Sequence, residues 1–139
     1  AKKIKNATIE RYYFNIIKAV FSNGNIKSSD ELLGKNFGLI LNDFKNSLKI
    51  SEENLFLLKK HNFKIINFTE DNSKSNFDNY ISCQETHNDM KTYCERYDCN
   101  GVIVRPDKYV YDLINYGDND NLEVVISNVL KSIKEKVDL

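Results

Sequence analysis

The chain has 139 residues, of which 41% are hydrophobic and 29% charged, the size and composition of a single globular domain. Its 20 basic residues balance its 20 acidic ones. This balance argues against a protein that binds nucleic acid or an anionic membrane, since such a surface needs an excess of basic residues. Because no apolar run approaches the ~20 residues of a membrane helix and no signal-peptide pattern opens the chain, we expect a cytoplasmic protein.

The first third of the chain predicts short elements. Residues 8–21 combine helical spacing of apolar side chains with a strand-like composition, which favours a helix followed by a strand at residues 18–21. We assign residues 1–22 to an N-terminal extension. Residues 30–34 predict one helical turn that ends at a glycine, and the apolar residues 37–41 predict a buried central strand.

The middle of the chain predicts a helix, a strand, a loop and a second helix. Ser51 precedes two glutamates, a pattern typical of a helix start. Residues 63–68 form an apolar run that predicts a strand, whereas residues 69–82 are rich in Asp, Asn and Ser and predict a loop. A helix is expected from about residue 82 to residue 97.

A hairpin and a final helix complete the pattern. Residues 102–104 and 109–111 predict two strands joined by a structural turn at Arg105, Pro106 and Asp107. The last helix begins after residues 118–121 and presents one apolar face, made of Leu122, Val125, Ile126, Val129, Leu130 and Ile133.

The order of these elements predicts an α/β fold for residues 23–139. Two strands joined by a helix are expected to lie parallel, with the hairpin added antiparallel to them. This is a thioredoxin-like layout: a mixed sheet with helices on both faces.

The cysteines do not occupy the position that thiol catalysis requires in such a fold. A thioredoxin-like enzyme keeps Cys-x-x-Cys after its first central strand, at a helix N-terminus that lowers the thiol pKa. Residues 41–47 contain no cysteine, and Cys94 and Cys99 lie at the end of a different helix. We therefore predict no catalytic residue, with a stand-alone thiol oxidoreductase of the thioredoxin or peroxiredoxin class as an alternative.

Metal and nucleotide sites are not predicted either. Cys83, His87, Cys94 and Cys99 are all ligand types, but on one helix His87 and Cys94 would lie ~10 Å apart along the axis, too far to share one zinc ion. On that helix one stripe would contain Cys83, His87, Met90, Cys94 and Tyr97, and we interpret it as the face that packs on the sheet, with the cysteines as small apolar residues. Residues 34–38 match neither a phosphate loop nor a dinucleotide fingerprint, so no cofactor is expected in this chain.

Two segments of the chain stand out together. Residues 23–41 begin with a glycine turn (Asn-Gly), continue through Asp-Glu-Leu-Leu-Gly and end in the strand Phe-Gly-Leu-Ile-Leu. Residues 101–110 are Gly-Val-Ile-Val-Arg-Pro-Asp-Lys-Tyr-Val. These segments resemble the glycine turn, Leu-Leu-Gly step and Gly-x-Phe-x-Leu-Leu strand, and the hairpin, of the C-terminal domain of FAD-dependent aromatic-ring hydroxylases of the phenol hydroxylase and (hydroxyphenyl)propionate hydroxylase types. The chain departs from the family pattern at Lys108, where the family has glycine, and at residues 111–113, where the family often has Ala-Trp-Arg.

The resemblance implies a redox-inactive structural or oligomerisation module. In a full-length parent monooxygenase, FAD and NAD(P)H would bind in the preceding domains, and this module would pack on the flavin and substrate domains or on a second copy of itself. The sequence leaves open whether the chain is such a module or a stand-alone relative of it. An unrelated small interaction domain is a further alternative.

Overall fold

The architecture is a single mixed sheet with helices packed on it. The computed structural model describes residues 13–14, 17–20 and 24–137. Within these residues the strands are β1 (Lys18–Val20), β2 (Ile26–Ser28), β3 (Phe37–Asn42), β4 (Phe63–Phe68), β5 (Tyr80–Glu85), β6 (Gly101–Val104) and β7 (Val110–Ile114). The helices of the described residues are α1 (Ser29–Leu33), α2 (Glu52–Lys60), α3 (Asp89–Tyr97) and α4 (Leu122–Val137).

The sheet has the strand order β2-β1-β5-β4-β3-β6-β7. Strands β3, β4 and β5 run parallel, so their carboxyl ends meet at one edge. The outer strands are antiparallel to their neighbours on both sides. At the centre, Leu39 of β3 lies opposite Ile65 of β4 and Ile103 of β6.

Successive side chains of the central strands pack into two cores on opposite faces of the sheet, as a period of two residues requires. Leu39 packs with the buried residues of α2 and α4. Its neighbour Ile40 packs with those of α1 and α3. Helices therefore cover both faces of the sheet, which confirms the predicted α/β architecture.

The elements with the strongest local signals are confirmed. Ser51 caps α2, since its hydroxyl accepts a hydrogen bond from the backbone N–H of Asn54 at 3.2 Å. Strands β3 and β4 match the predicted runs closely. All six residues of the predicted apolar face of α4 are buried.

The helix predicted from about residue 82 to residue 97 is wrong in its first half. Strand β5 occupies residues 80–85, and α3 begins only at Asp89. The strand forms because β4 offers it a parallel partner, with Ile65 opposite Tyr80 and Phe68 opposite Cys83. Cys83 and Cys94, which the predicted helix placed on one stripe, therefore come from two different elements, and the predicted loop at residues 69–82 is shorter.

Near the N-terminus the predicted strand is confirmed, whereas the predicted helix is wrong at Tyr13, a described residue of that helix. Strand β1 pairs with β2 and with β5, so the sheet includes part of the segment assigned to the extension. Tyr13 is not helical but forms an antiparallel bridge with Tyr109, which itself precedes β7. The rest of the predicted helix, residues 8–12 and 15–16, lies outside the described residues.

Candidate functional site

A cleft of about 450 Å³ opens at the carboxyl ends of the three parallel strands. In open α/β sheets this edge is the usual place for ligands. The lining residues lie at the ends of β3, β4 and β5 or follow these strands in the chain. Most of them are polar: Asn42, Asp43, Lys45, Phe68, Thr69, Glu70, Asp71, Gln84, Glu85, Asn88 and Lys91. No sequence pattern indicates this cleft, because its residues come from three separate segments of the chain.

A buried side-chain amide fixes the backbone just after β3, between the cleft residues Asp43 and Lys45. The side chain of Asn67, in β4, is fully buried. It accepts a hydrogen bond from the N–H of Phe44 at 3.0 Å and donates one to the carbonyl of Phe44 at 2.9 Å. It also donates to the hydroxyl of Tyr80 at 3.0 Å. This amide replaces a backbone partner for Phe44, so the chain can leave β3 without losing buried hydrogen bonds.

Two carboxylates of the cleft already have protein partners. Asp43 accepts a hydrogen bond from the hydroxyl of Thr69 at 2.9 Å and lies 3.4 Å from the ammonium of Lys45. Glu85 caps α3, since its oxygens accept from the backbone N–H groups of Met90 at 2.8 Å and Lys91 at 3.3 Å. These contacts are structural, because each satisfies a loop or a helix terminus.

The cleft lining lacks the thiol chemistry of thioredoxin-like enzymes. Neither cysteine nor histidine is among its residues, and its one hydroxyl, that of Thr69, donates to the carboxylate of Asp43. Within the described part of the chain, no group of three or more His, Cys, Asp or Glu side chains could hold a metal ion. The lining is therefore polar and without a thiol.

The three cysteines lie in the core on the face of the sheet that α1 and α3 cover, and none of them is at a helix N-terminus. Cys83 on β5 is buried, and its burial raises the pKa of its thiol to about 12. The pKa of Cys94 is raised by a hydrogen bond with the thiol of Cys99 and by burial. A thiol whose pKa is raised carries little thiolate, the nucleophilic form, near neutral pH. His87 is exposed on the loop before α3 and hydrogen-bonds to Thr86 at 2.9 Å.

The N-terminus of α2, where a thioredoxin-like enzyme keeps its thiol, is occupied by other groups. Ser51 caps the helix, and the backbone N–H of Ser51 donates to the carboxylate of Glu123 at 2.9 Å. This hydrogen bond lowers the pKa of Glu123. A side chain from α4 thus places negative charge at the positive end of α2.

The residues predicted as a structural turn join β6 to β7 at the end of the sheet opposite the cleft, since Val104 pairs with Gly38 near the start of β3. The N–H of Lys108 donates to the carbonyl of Arg105 at 2.8 Å, and the N–H of Arg105 donates to Tyr109 at 2.8 Å. The guanidinium of Arg105 forms an ion pair with Asp107 and lies 5.9 Å from the centre of the Tyr109 ring. All of these contacts are local to the hairpin.

Lys108 has a backbone φ of 74°, in the left-handed region that glycine prefers. Pro106 occupies the second position of the turn, so the hairpin combines a turn with a left-handed residue after it. The family that the chain resembles carries glycine where Lys108 stands, and that glycine is the sequence signal for a left-handed conformation at this position. The ammonium of Lys108 also contacts the carbonyl of Gly34 and donates to that of Pro106 at 3.1 Å.

Comparison with known structures shows the fold. A cysteine-to-serine mutant of peroxiredoxin 6 from Arenicola marina has a TM-score of 0.63 at 17% identity, covering 88% of this chain and 70% of that one. A yeast mitochondrial 1-Cys peroxiredoxin has a TM-score of 0.57 at 13% identity, with coverages of 88% and 73%. A thiol:disulfide interchange protein from Bacteroides sp. has a TM-score of 0.56 at 15% identity, with coverages of 91% and 89%. The thioredoxin-like prediction is confirmed.

No curated protein sequence matches the chain. None of the helices within the described residues has the length and hydrophobicity that crossing a bilayer requires. The family model described as the HcaD C-terminal domain matches residues 18–128. The chain therefore belongs to this family of C-terminal domains of HcaD-type proteins, which confirms the resemblance at the level of the domain.

Proposed function

We propose that this HcaD C-terminal domain is an accessory module that uses the thioredoxin-like fold without thiol catalysis. The placement of the cysteines carries the proposal. The N-terminus of α2 presents Ser51 and the carboxylate of Glu123, while the thiols of Cys83, Cys94 and Cys99 are buried elsewhere. A thiol in such an apolar environment is chemically inert compared with one at a helix N-terminus.

We further propose that the module serves a larger FAD- and NAD(P)H-dependent monooxygenase of aromatic rings in the cytoplasm. Membership in a family of C-terminal domains supports this. The flavin and the nicotinamide would bind in the domains that precede the module, and no cofactor would bind in this chain. Its role would be to pack on those flavin and substrate domains or to pair with a second copy.

Enzyme assays of the purified chain test the first proposal. Insulin disulfide reduction and peroxide consumption, with thioredoxin or glutathione as reductant, should proceed at the rate without protein. A triple variant with serine at positions 83, 94 and 99 should give the same result, while a peroxiredoxin assayed in parallel shows that the assay works. Thiol-dependent turnover that one cysteine variant abolishes would establish the alternative, a thiol oxidoreductase.

Binding measurements test the second proposal. The purified chain should be colourless, should not quench FAD fluorescence and should contain no stoichiometric zinc by elemental analysis. Sedimentation analysis should give either a dimer or a monomer that associates with the flavin domain encoded in the same reading frame. A flavin spectrum that survives dialysis of the isolated chain, or a reading frame that encodes no flavin domain, would contradict the assignment.

A further inference from the structure

Cys94 and Cys99 are brought together by the way α3 ends. Asp98 adopts a left-handed conformation, with φ 53° and ψ 55°, and its N–H donates to the carbonyl of Cys94. The N–H of Cys99 donates to the same carbonyl at 3.0 Å. This arrangement is a common helix ending in which the side chains at the two ends of the turn touch. Here both of those side chains are thiols.

The end of α3 holds the two cysteines close together. Standard backbone dimensions and the 3.0 Å hydrogen bond from the Cys99 N–H to the Cys94 carbonyl set an upper limit of about 7 Å on the separation of the two Cα atoms. A disulfide requires Cα atoms roughly 4.4–6.8 Å apart with side chains that face each other. The thiol of Cys94 is hydrogen-bonded to that of Cys99, so the side chains do face each other.

We propose that Cys94 and Cys99 are an oxidisable pair that forms an intrachain disulfide by exchange with a small disulfide such as oxidised glutathione. One protein thiolate attacks a sulfur of the oxidant and displaces a glutathione thiolate, which leaves a mixed disulfide. The second protein thiolate then attacks the protein sulfur of that bond and releases the second glutathione. Two protons leave the cysteines, and the two electrons reduce the oxidant to two thiols.

Burial makes this exchange slow and stoichiometric, which distinguishes it from catalysis. Cys94 is 6% exposed and Cys99 is 8% exposed, so the oxidant reaches them only when the end of α3 opens. The inference therefore goes beyond the proposed function: a single oxidation of the pair is compatible with the absence of turnover.

Oxidation would fasten the segment that supports the cleft. Asn100 follows the pair, and its carbonyl accepts a hydrogen bond from Asn42 at the end of β3 at 3.1 Å. The side-chain oxygen of Asn100 accepts another from the N–H of Tyr116 at 3.0 Å. A covalent bond between the end of α3 and this segment would limit opening at the carboxyl edge of the sheet.

The test is oxidation of the folded chain followed by mass spectrometry. The purified chain is incubated with oxidised glutathione, remaining thiols are blocked with iodoacetamide, and peptides are mapped without reduction. The wild-type chain and Cys83→Ser should both lose two hydrogen atoms and give a peptide that links Cys94 to Cys99. Cys94→Ser and Cys99→Ser should form no internal disulfide and should instead retain one glutathione.

Controls keep the outcome interpretable. Circular dichroism verifies that each variant is folded, and Cys83→Ser carries the test if the other two variants do not fold. Oxidation of the urea-unfolded chain shows that the reagent is active. Three free thiols in the folded chain under conditions that oxidise the unfolded one, or a bond that involves Cys83, would overturn the inference. Thiol turnover in the enzyme assays would instead contradict the proposed function, so the two failures are distinct.

Discussion

Replacing Asn67 with alanine should be one of the most destabilising polar substitutions in the described part of the chain. The side chain is fully buried and makes three hydrogen bonds, two of them to the backbone of Phe44. Alanine leaves the N–H and the carbonyl of Phe44 without these partners, at a cost of ~1–3 kcal/mol for each unsatisfied buried group. We expect the free energy of unfolding to fall by about 3 kcal/mol, a large fraction of the ~5–15 kcal/mol typical of a domain.

The chain offers a matched control for this substitution. Asn79 is exposed and donates one long hydrogen bond, 3.4 Å, to the carbonyl of Phe63. Asn79→Ala removes the same atoms and should cost less than ~0.5 kcal/mol, as most surface substitutions do. Urea unfolding of both variants measures the difference, provided that the slopes of the transitions agree. If Asn67→Ala came within about 1 kcal/mol of the control, the pinning of Phe44 by this amide would be refuted.

Three further predictions concern the turn and one carboxylate. Lys108→Gly should be more stable than Lys108→Ala by ~1 kcal/mol in urea unfolding. Both substitutions remove the ammonium, but only glycine adopts the left-handed backbone conformation without steric strain. Equal stabilities of the two variants would show that residue 108 is not strained. Glu123 has a lowered pKa in the fold because the N–H of Ser51 donates to it, so its contribution is present above the unfolded-state pKa of ~4.3 and is lost as pH falls through the folded-state pKa. Unfolding free energies between about pH 3 and pH 6 should therefore drop less in Glu123→Gln than in the wild type, and parallel curves would refute the linkage. Pro106→Ala should lower the free energy of unfolding by at most ~1 kcal/mol, because alanine gives the unfolded chain more freedom. Arg105→Ala should leave stability nearly unchanged because the ion pair of Arg105 is solvated. If Arg105→Ala abolished a dimer or a complex with the flavin domain, the turn would instead be part of an interface.

The parts of the fold that the sequence predicts are those with a strong local signal. Helix α4 has an apolar stripe from Leu122 to Ile133, and residues 37–41 of β3 form an uninterrupted apolar run. Ser51 identifies the start of α2 because a capping hydroxyl acts within a few residues. In each case the residues that decide the structure lie close together in the chain, so the pattern can be recognised without knowledge of tertiary contacts.

Strand β5 could not be predicted in this way. Only Cys83 among its six residues is buried, so no alternation of apolar and polar residues indicates a strand. The strand exists because β4 and β1 supply hydrogen-bond partners from distant parts of the chain. The cleft was missed for a related reason, since it forms only where the ends of three strands meet. Contacts between distant parts of the chain therefore determine both β5 and the cleft, which local sequence patterns do not reveal.

The N-terminus of α2 provides the sharpest test of why this fold lacks thiol chemistry here. A helix N-terminus normally lowers the pKa of a cysteine thiol, yet the carboxylate of Glu123 already lies against the backbone N–H of Ser51. A thiol introduced by Ser51→Cys should therefore keep an ordinary pKa near ~8.5, because the negative charge opposes the effect of the helix dipole. Adding Glu123→Gln retains a hydrogen-bond acceptor but removes the charge, and the pH profile of iodoacetamide alkylation at residue 51 should then move to lower pH by about one unit. If Ser51→Cys alone had a clearly lowered thiol pKa, or if the second substitution left the profile unchanged, the carboxylate would not be what neutralises this end of the helix.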